Sequence, residues 1–227
     1  MAEAVQPRSG LLKVAFRKAL GAVGLNIWRA RGGVFICPTP RSARPRGATT
    51  FPVPPRLHLG CGNVRLEGYV NIDIVPTPAT DLAADITRLS MFADASVEEI
   101  RMDAVLEHLY RHERLGALRE WHRVLRPEGT LSVSWIPDFD VIAETYVHKR
   151  PGRFGGPFTL HEVYRYTHGE PIPANAPEQI HKDLFTRDSV KADLEAAGFE
   201  ITSIENVSYG DERIALNLNV VAKKPTR

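Results

Sequence analysis

The residues of this chain best arranged for chemistry lie in Leu57-His58-Leu59-Gly60-Cys61-Gly62-Asn63 and at Asp73. A short apolar run ending in two glycines predicts a strand entering a tight turn, where backbone N–H and C=O groups approach a ligand closely. Taken alone, that pattern is equally a plain structural bend. The next apolar run, Tyr69-Val70-Asn71-Ile72, ends on Asp73, which places a carboxylate at the tip of a neighbouring strand. An acid there suits the two hydroxyls of a ribose. A nicotinamide dinucleotide would use the same acid, but its fingerprint needs a third glycine where Arg65 stands. It also needs a helix N-terminus for its pyrophosphate, and Val64–Tyr69 is too short to supply one. A nucleoside cofactor without phosphates needs neither.

The elements that must position these residues follow from hydrophobic period and turn residues. Strands are expected at Arg56–Leu59, Tyr69–Ile74, Asp81–Ala83, Val97–Met102, Thr130–Ile136, Glu200–Asn206 and Ile214–Ala222. Between the fourth and fifth, Leu106, Leu109, Leu115, Leu118, Trp121 and Val124 form one helical face over Val105–Leu125, stopped by Arg126-Pro127-Glu128-Gly129. A second helix is expected at Asp188–Ala197, with Thr186 as cap and Gly198 as terminator. The last two strands have no room for a helix between them and should pair as an antiparallel hairpin. Strands alternating with helices predict an α/β sheet with helices on both faces. The Pro- and Gly-rich stretch at about 139–185 reads as an insertion over the active face.

The run HLGCGNVRLEGYVNIDI resembles the first two motifs of a class I S-adenosylmethionine (SAM)-dependent methyltransferase subfamily, the type 11-like group. Asp85-Ile86, Val105-Leu106-Glu107-His108-Leu109 and Glu120–Leu131 match later motifs of that group in order, so the resemblance covers about residues 55–224. It implies a Rossmann-like, seven-stranded, mostly parallel sheet with an antiparallel C-terminal hairpin. It also implies SAM as cofactor and S-adenosylhomocysteine as product. Gly60, Cys61 and Gly62 would lie against the methionine part, Asp73 on the ribose, Ile74 against adenine, and Asp85 and Ile86 around its amino group and ring. Backbone near Asp103 and Ala104 would meet the ammonium. His58 stands where an acid or amide is common, and would make a different cofactor contact.

The sulfonium of SAM is already activated, so a protein of this class chiefly aligns a nucleophile; a hydroxyl acceptor also benefits from a base. His112, His122 and His148 read as surface or structural residues. His108, beside the expected cofactor edge, is a candidate for orientation or catalysis. Of the insertion's His161, His168 and His181, the last resembles a His-containing turn of the subfamily and is the candidate base. Asp138, just past the fifth strand, is either a second base or a helix cap. The acceptor implied is a small molecule, methylated at O or N: a sugar, an envelope precursor or a secondary metabolite. A non-catalytic SAM-binding scaffold and an NAD-dependent oxidoreductase are the alternatives.

Charge divides the chain. Residues 1–50 carry nine Lys/Arg and one acid, net +8, and the rest carries 20 Lys/Arg against 26 Asp/Glu, net −6. The expected division is therefore a basic arm, 1–54, and a catalytic domain, 55–227. Leu12, Phe16, Ala19, Leu20 and Val23 predict an amphipathic helix in the arm, which covers the domain or contacts a membrane surface through residues 1–31. Arg29–Pro55 reads as a linker or extended wrap. No apolar run approaches the roughly 20 residues of a spanning helix. The acidic body and the lack of an Asn/Asp-Pro-Pro-Tyr/Phe segment at Asp103-Ala104-Val105 argue against nucleic acid as substrate. Two cysteines and no CxxC or His/Cys cluster give neither a disulfide framework nor a metal site, and point to a cytoplasmic protein.

Overall fold

A computed structural model describes residues 25–30, 33–38, 55–153, 155–169 and 177–226. The chain divides into two compact units, residues 1–47 and 48–227. In the first, β1 (Leu25–Ala30) and β2 (Gly33–Pro38) pair antiparallel, with Ala30 opposite Gly33. Where the sequence reads a linker or extended wrap from Arg29, Ile36 lies opposite Ile27 and Phe35 opposite Trp28, residue types that favour a pleated ribbon. The amphipathic helix expected around Leu12–Val23 lies outside the described residues. Among the described residues no helix is long and apolar enough to cross a membrane.

The second unit is built on a seven-stranded sheet of β3 (Arg56–Leu59), β4 (Val70–Asp73), β5 (Leu82–Ala83), β6 (Val97–Asp103), β7 (Leu125–Pro137), β8 (Glu200–Val207) and β9 (Asn217–Lys223). Its order is β5-β4-β3-β6-β7-β9-β8, parallel throughout except for β9, which runs against both β7 and β8. The four described α-helices all follow β6: α1 (Arg111–Val124), α2 (Phe139–Val147), α3 (Leu160–Tyr164) and α4 (Arg187–Ala196). A 3-10 turn, Leu106–His108, precedes α1, so the helix expected from Val105 is split there. Thr186 caps α4 through a reciprocal pair with Ser189, and Gly198 closes it at φ +97°.

Period-2 alternation puts Leu57, Leu59, Val70, Ile72, Ile100, Met102, Leu131, Val133, Val220 and Ala222 into one core with Leu118 and Trp121 of α1 and Val190 and Leu194 of α4. The opposite face is polar in register. Asn71 lies beside His58, His58 beside Arg101, and Arg101 beside Ser132. The link between β3 and β4 contains turns in place of a helix, and Asn71 secures it. The Asn71 amide donates to Leu66 O, Tyr69 O and Asp81 Oδ2 and accepts from Leu66 N. This fully buried side chain thus satisfies loop groups that a helix would have paired internally.

Candidate functional site

The Gly60–Gly62 turn folds back onto β4: Gly60 N and Cys61 N both donate to Ile72 O, at 2.8 and 3.1 Å. Gly60 holds φ +68°, and a Cβ there would come within 2.5 Å of Val105 Cγ2. The position is closed to side chains by conformation and by space. Gly62 N donates to Asp73 Oδ2 at 2.8 Å, and Val75 N donates to Oδ1 at 2.8 Å. Each carboxylate oxygen keeps a lone pair for a ribose hydroxyl, in an orientation already fixed.

The loop after β5 is held from below by α1. Trp121 Nε1 donates to Ile86 O at 2.8 Å, Glu120 accepts from Leu89 N, and Arg123 reaches Leu89 O and Phe92 O. The Glu120–Arg123 segment therefore positions the loop that carries Asp85 and Ile86. At the end of β6, Ala104 sits at φ +53° with its amide donating to Ser134 O, a strained residue that lines the cavity beside Asp103.

Gly60, Cys61, Gly62, Asp73, Ile74, Asp85, Ile86 and Asp103 together line one cavity of about 450 Å³. The fit to a phosphate-free nucleoside is good. Ile74, 62% exposed at the rim, offers an apolar face to a base, and the glycine turn is followed by no helix that could cradle a pyrophosphate. No sequence signal singles out Gln179 and Lys182, which line this cavity from the insertion.

Two expected site residues stand elsewhere. His58 is 2% exposed on the polar sheet face, its Nδ1 3.0 Å from Asn71 Oδ1, because strand alternation turns it away from the ligand end. Asp138, also 2% exposed, lines neither cavity. Its Oδ2 accepts from Asn206 Nδ2 at 2.8 Å, and it precedes α2 without a side-chain capping bond.

A second cavity of about 520 Å³ is lined by Trp135, Arg165, Tyr166, Tyr209, Glu212 and Asn217 among others, and it shares Ala104, His108 and Gln179 with the first. The insertion builds its roof. A π-turn, Arg165–Gly169, brings Tyr166 O to His181 Nδ1 at 2.7 Å, while Ile180 O meets His108 Nδ1 at 3.2 Å. Lys182 N donates to Glu107 O, and Asp183 bonds Arg111 and Arg114 of α1. His161 and His168 lie in the same insertion but do not line either cavity.

Sequence reasoning missed Glu107 as a group in its own right. It is 2% exposed, its Oε2 has no hydrogen-bond partner, and Oε1 is 4.0 Å from His181 Nε2. Burial pushes its carboxyl up to about 8. Burial likewise depresses His181 to about 4, against the opposing pull of the Tyr166 carbonyl, and lowers His108. Both imidazoles are therefore neutral near pH 7.

A family model described as a methyltransferase domain matches residues 57–133. A SAM-dependent methyltransferase from Methanosarcina mazei superposes with a TM-score of 0.51 at 18% identity, covering 76% of this chain and 92% of that one. The 1,6-didemethyltoxoflavin-N1-methyltransferase of Burkholderia thailandensis, solved with 1,6-didemethyltoxoflavin and S-adenosylhomocysteine, gives 0.51 at 17% identity, over 100% of this chain and 93% of that one. A putative SAM-dependent methyltransferase from Listeria monocytogenes gives 0.50 at 15%, over 75% and 91%. At such identities these likenesses concern the fold. No curated protein matches the sequence. The sheet order is that of the Rossmann-like methyltransferase fold, and the matched segment runs from β3 into β7. The stretch matched to the methyltransferase domain, residues 57–133, carries the glycine turn, Asp73, Asp85, Ile86 and Asp103.

Proposed function

We propose that this chain is a SAM-dependent methyltransferase and that it methylates a small, polar, hydroxyl-bearing molecule held in the second cavity, a sugar-like acceptor being the class that fits it. The observation that carries the reading is the seam between the cavities. Ala104, His108 and Gln179 belong to both, so an acceptor in the second cavity abuts the cofactor in the first. Bound SAM supplies a methyl carbon already activated by its sulfonium.

The chain's own residues do the rest. Gly60–Gly62, Asp73, Asp85 and Ile86 hold and orient the cofactor. Trp135, Tyr166 and Tyr209 offer ring faces and Arg165, Glu212 and Asn217 offer hydrogen bonds, the mixture that recognises a polyhydroxylated ring. His181 turns its free Nε2 toward this space and is the residue through which the acceptor's hydroxyl is activated. His108 orients it edge-on.

The test is transfer of radiolabelled methyl from SAM into a cell extract, followed by separation by size. Label in the small-molecule fraction is expected, with His181→Gln at least about tenfold slower while S-adenosylhomocysteine affinity changes by less than about threefold. Label confined to protein or nucleic acid would overturn the acceptor class, and unchanged turnover in His181→Gln would remove that residue.

A further inference from the structure

We propose that Glu107, His108 and His181 form a binding site for a divalent first-row transition cation of the zinc type, at the seam of the two cavities. One donor atom from each of the three side chains lies within 4.8 Å of the others. Two imidazoles and one carboxylate are the donor set of open catalytic zinc centres, which leave a fourth position for water or substrate. At bond lengths of about 2.1 Å the donors of a tetrahedral site stand about 3.4 Å apart, so a contraction of at most about 1.4 Å from the 4.8 Å limit closes the set.

Two independent features point to a cation. Each imidazole is fixed by a backbone carbonyl, Ile180 O on His108 Nδ1 and Tyr166 O on His181 Nδ1. A carbonyl only accepts, so Nδ1 carries the proton in both rings and Nε2 keeps its lone pair. That is the way a ligating histidine is held ready. The second is Glu107 Oε2, buried and without a hydrogen-bond partner. A native structure seldom leaves such an acceptor unmet, and a cation meets it.

The inference rests on the proposed methyl transfer for its purpose. The cation's fourth position would face the second cavity, which all three side chains line. An acceptor hydroxyl coordinated there becomes more acidic and loses its proton to water. Its oxygen then forms the new C–O bond as the C–S bond of the sulfonium breaks. His181 thereby activates the hydroxyl as a cation ligand, its Nε2 being occupied.

The experiment is calorimetric titration of the chelator-treated full chain with Zn²⁺, repeated with Co²⁺ to read coordination geometry from its absorption. One equivalent is expected, with a tetrahedral Co²⁺ spectrum. Glu107→Gln and His181→Gln should each weaken Zn²⁺ binding at least tenfold. S-adenosylhomocysteine titrated into the same preparations checks that each variant is folded. Should one variant fail that check, the other and His108→Gln carry the comparison. Well under one equivalent in the unaltered chain, or Zn²⁺ binding undiminished in the folded variants, as for zinc held at Cys61, would overturn the site. Loss of S-adenosylhomocysteine binding in the unaltered chain would instead sink the methyl-transfer reading and leave the zinc result standing.

Discussion

The amide of Gly62 donates to the carboxylate of Asp73 at 2.8 Å, tying the glycine turn to the tip of the next strand before any cofactor arrives. Replacing Asp73 by Ala removes the carboxylate proposed to accept from a ribose and leaves Gly62 N and Val75 N without their partner. S-adenosylhomocysteine affinity should fall by about 10- to 100-fold in calorimetry, in line with the loss of charge-assisted hydrogen bonds. An unchanged affinity would mean that the cofactor lies elsewhere.

Gly60→Ala combines a positive φ with a Cβ inside the Val105 side chain, so it should cost about 3 kcal/mol of stability in urea denaturation. Gly116→Ala provides the contrast. That glycine lies within α1, with open space where a Cβ would stand, and the change should stabilise by about 0.5–1 kcal/mol.

Trp121→Phe removes the donor to Ile86 O and leaves a gap in the core. We expect a loss of about 2 kcal/mol in stability and several-fold weaker S-adenosylhomocysteine binding, because the adenine loop loses its anchor. A stability loss with full cofactor affinity would show that the loop is held well enough by Glu120 and Arg123 alone.

Asp183 joins the returning insertion to α1. Burial raises its pKa, but the bonds from Arg111, the Leu184 amide and the charge of Arg114 outweigh that and hold it below the ordinary carboxylate value. Because the folded state binds this proton less readily than the unfolded chain, the stabilisation is present above pH ~4. It fades as the pH falls through the lowered pKa. Asp183→Asn should therefore cost about 3 kcal/mol near pH 7 and progressively less below pH 4, measured as denaturation midpoints across pH.

Much of the sheet was legible because strand alternation, the Thr186 cap and the Gly198 stop are local signals, each set by a few neighbouring residues. Strand ends were less so: β7 begins at Leu125, five residues ahead of the expected start, because pairing of Val97 with Leu125 extends the ladder past a bulge. The resemblance implies a cofactor contact for His58, whereas the same period-2 rule that buries Leu57 and Leu59 sends it to the other face.

What the sequence determined by itself is the meeting of the glycine turn and three acids at one cavity. Gly60–Gly62, Asp73, Asp85 and Asp103 occupy the ends of successive parallel strands, so short links and a fixed strand period dictate their convergence. The acceptor half was decided only by tertiary structure. His108 and His181 meet edge to face at 4.9 Å, beside Glu107, because the insertion returns over the sheet and is clamped by hydrogen bonds spanning 69 to 72 positions of chain. No local period encodes contacts at that separation; they arise from how the π-turn, Lys182 and Asp183 find their partners once the sheet has formed.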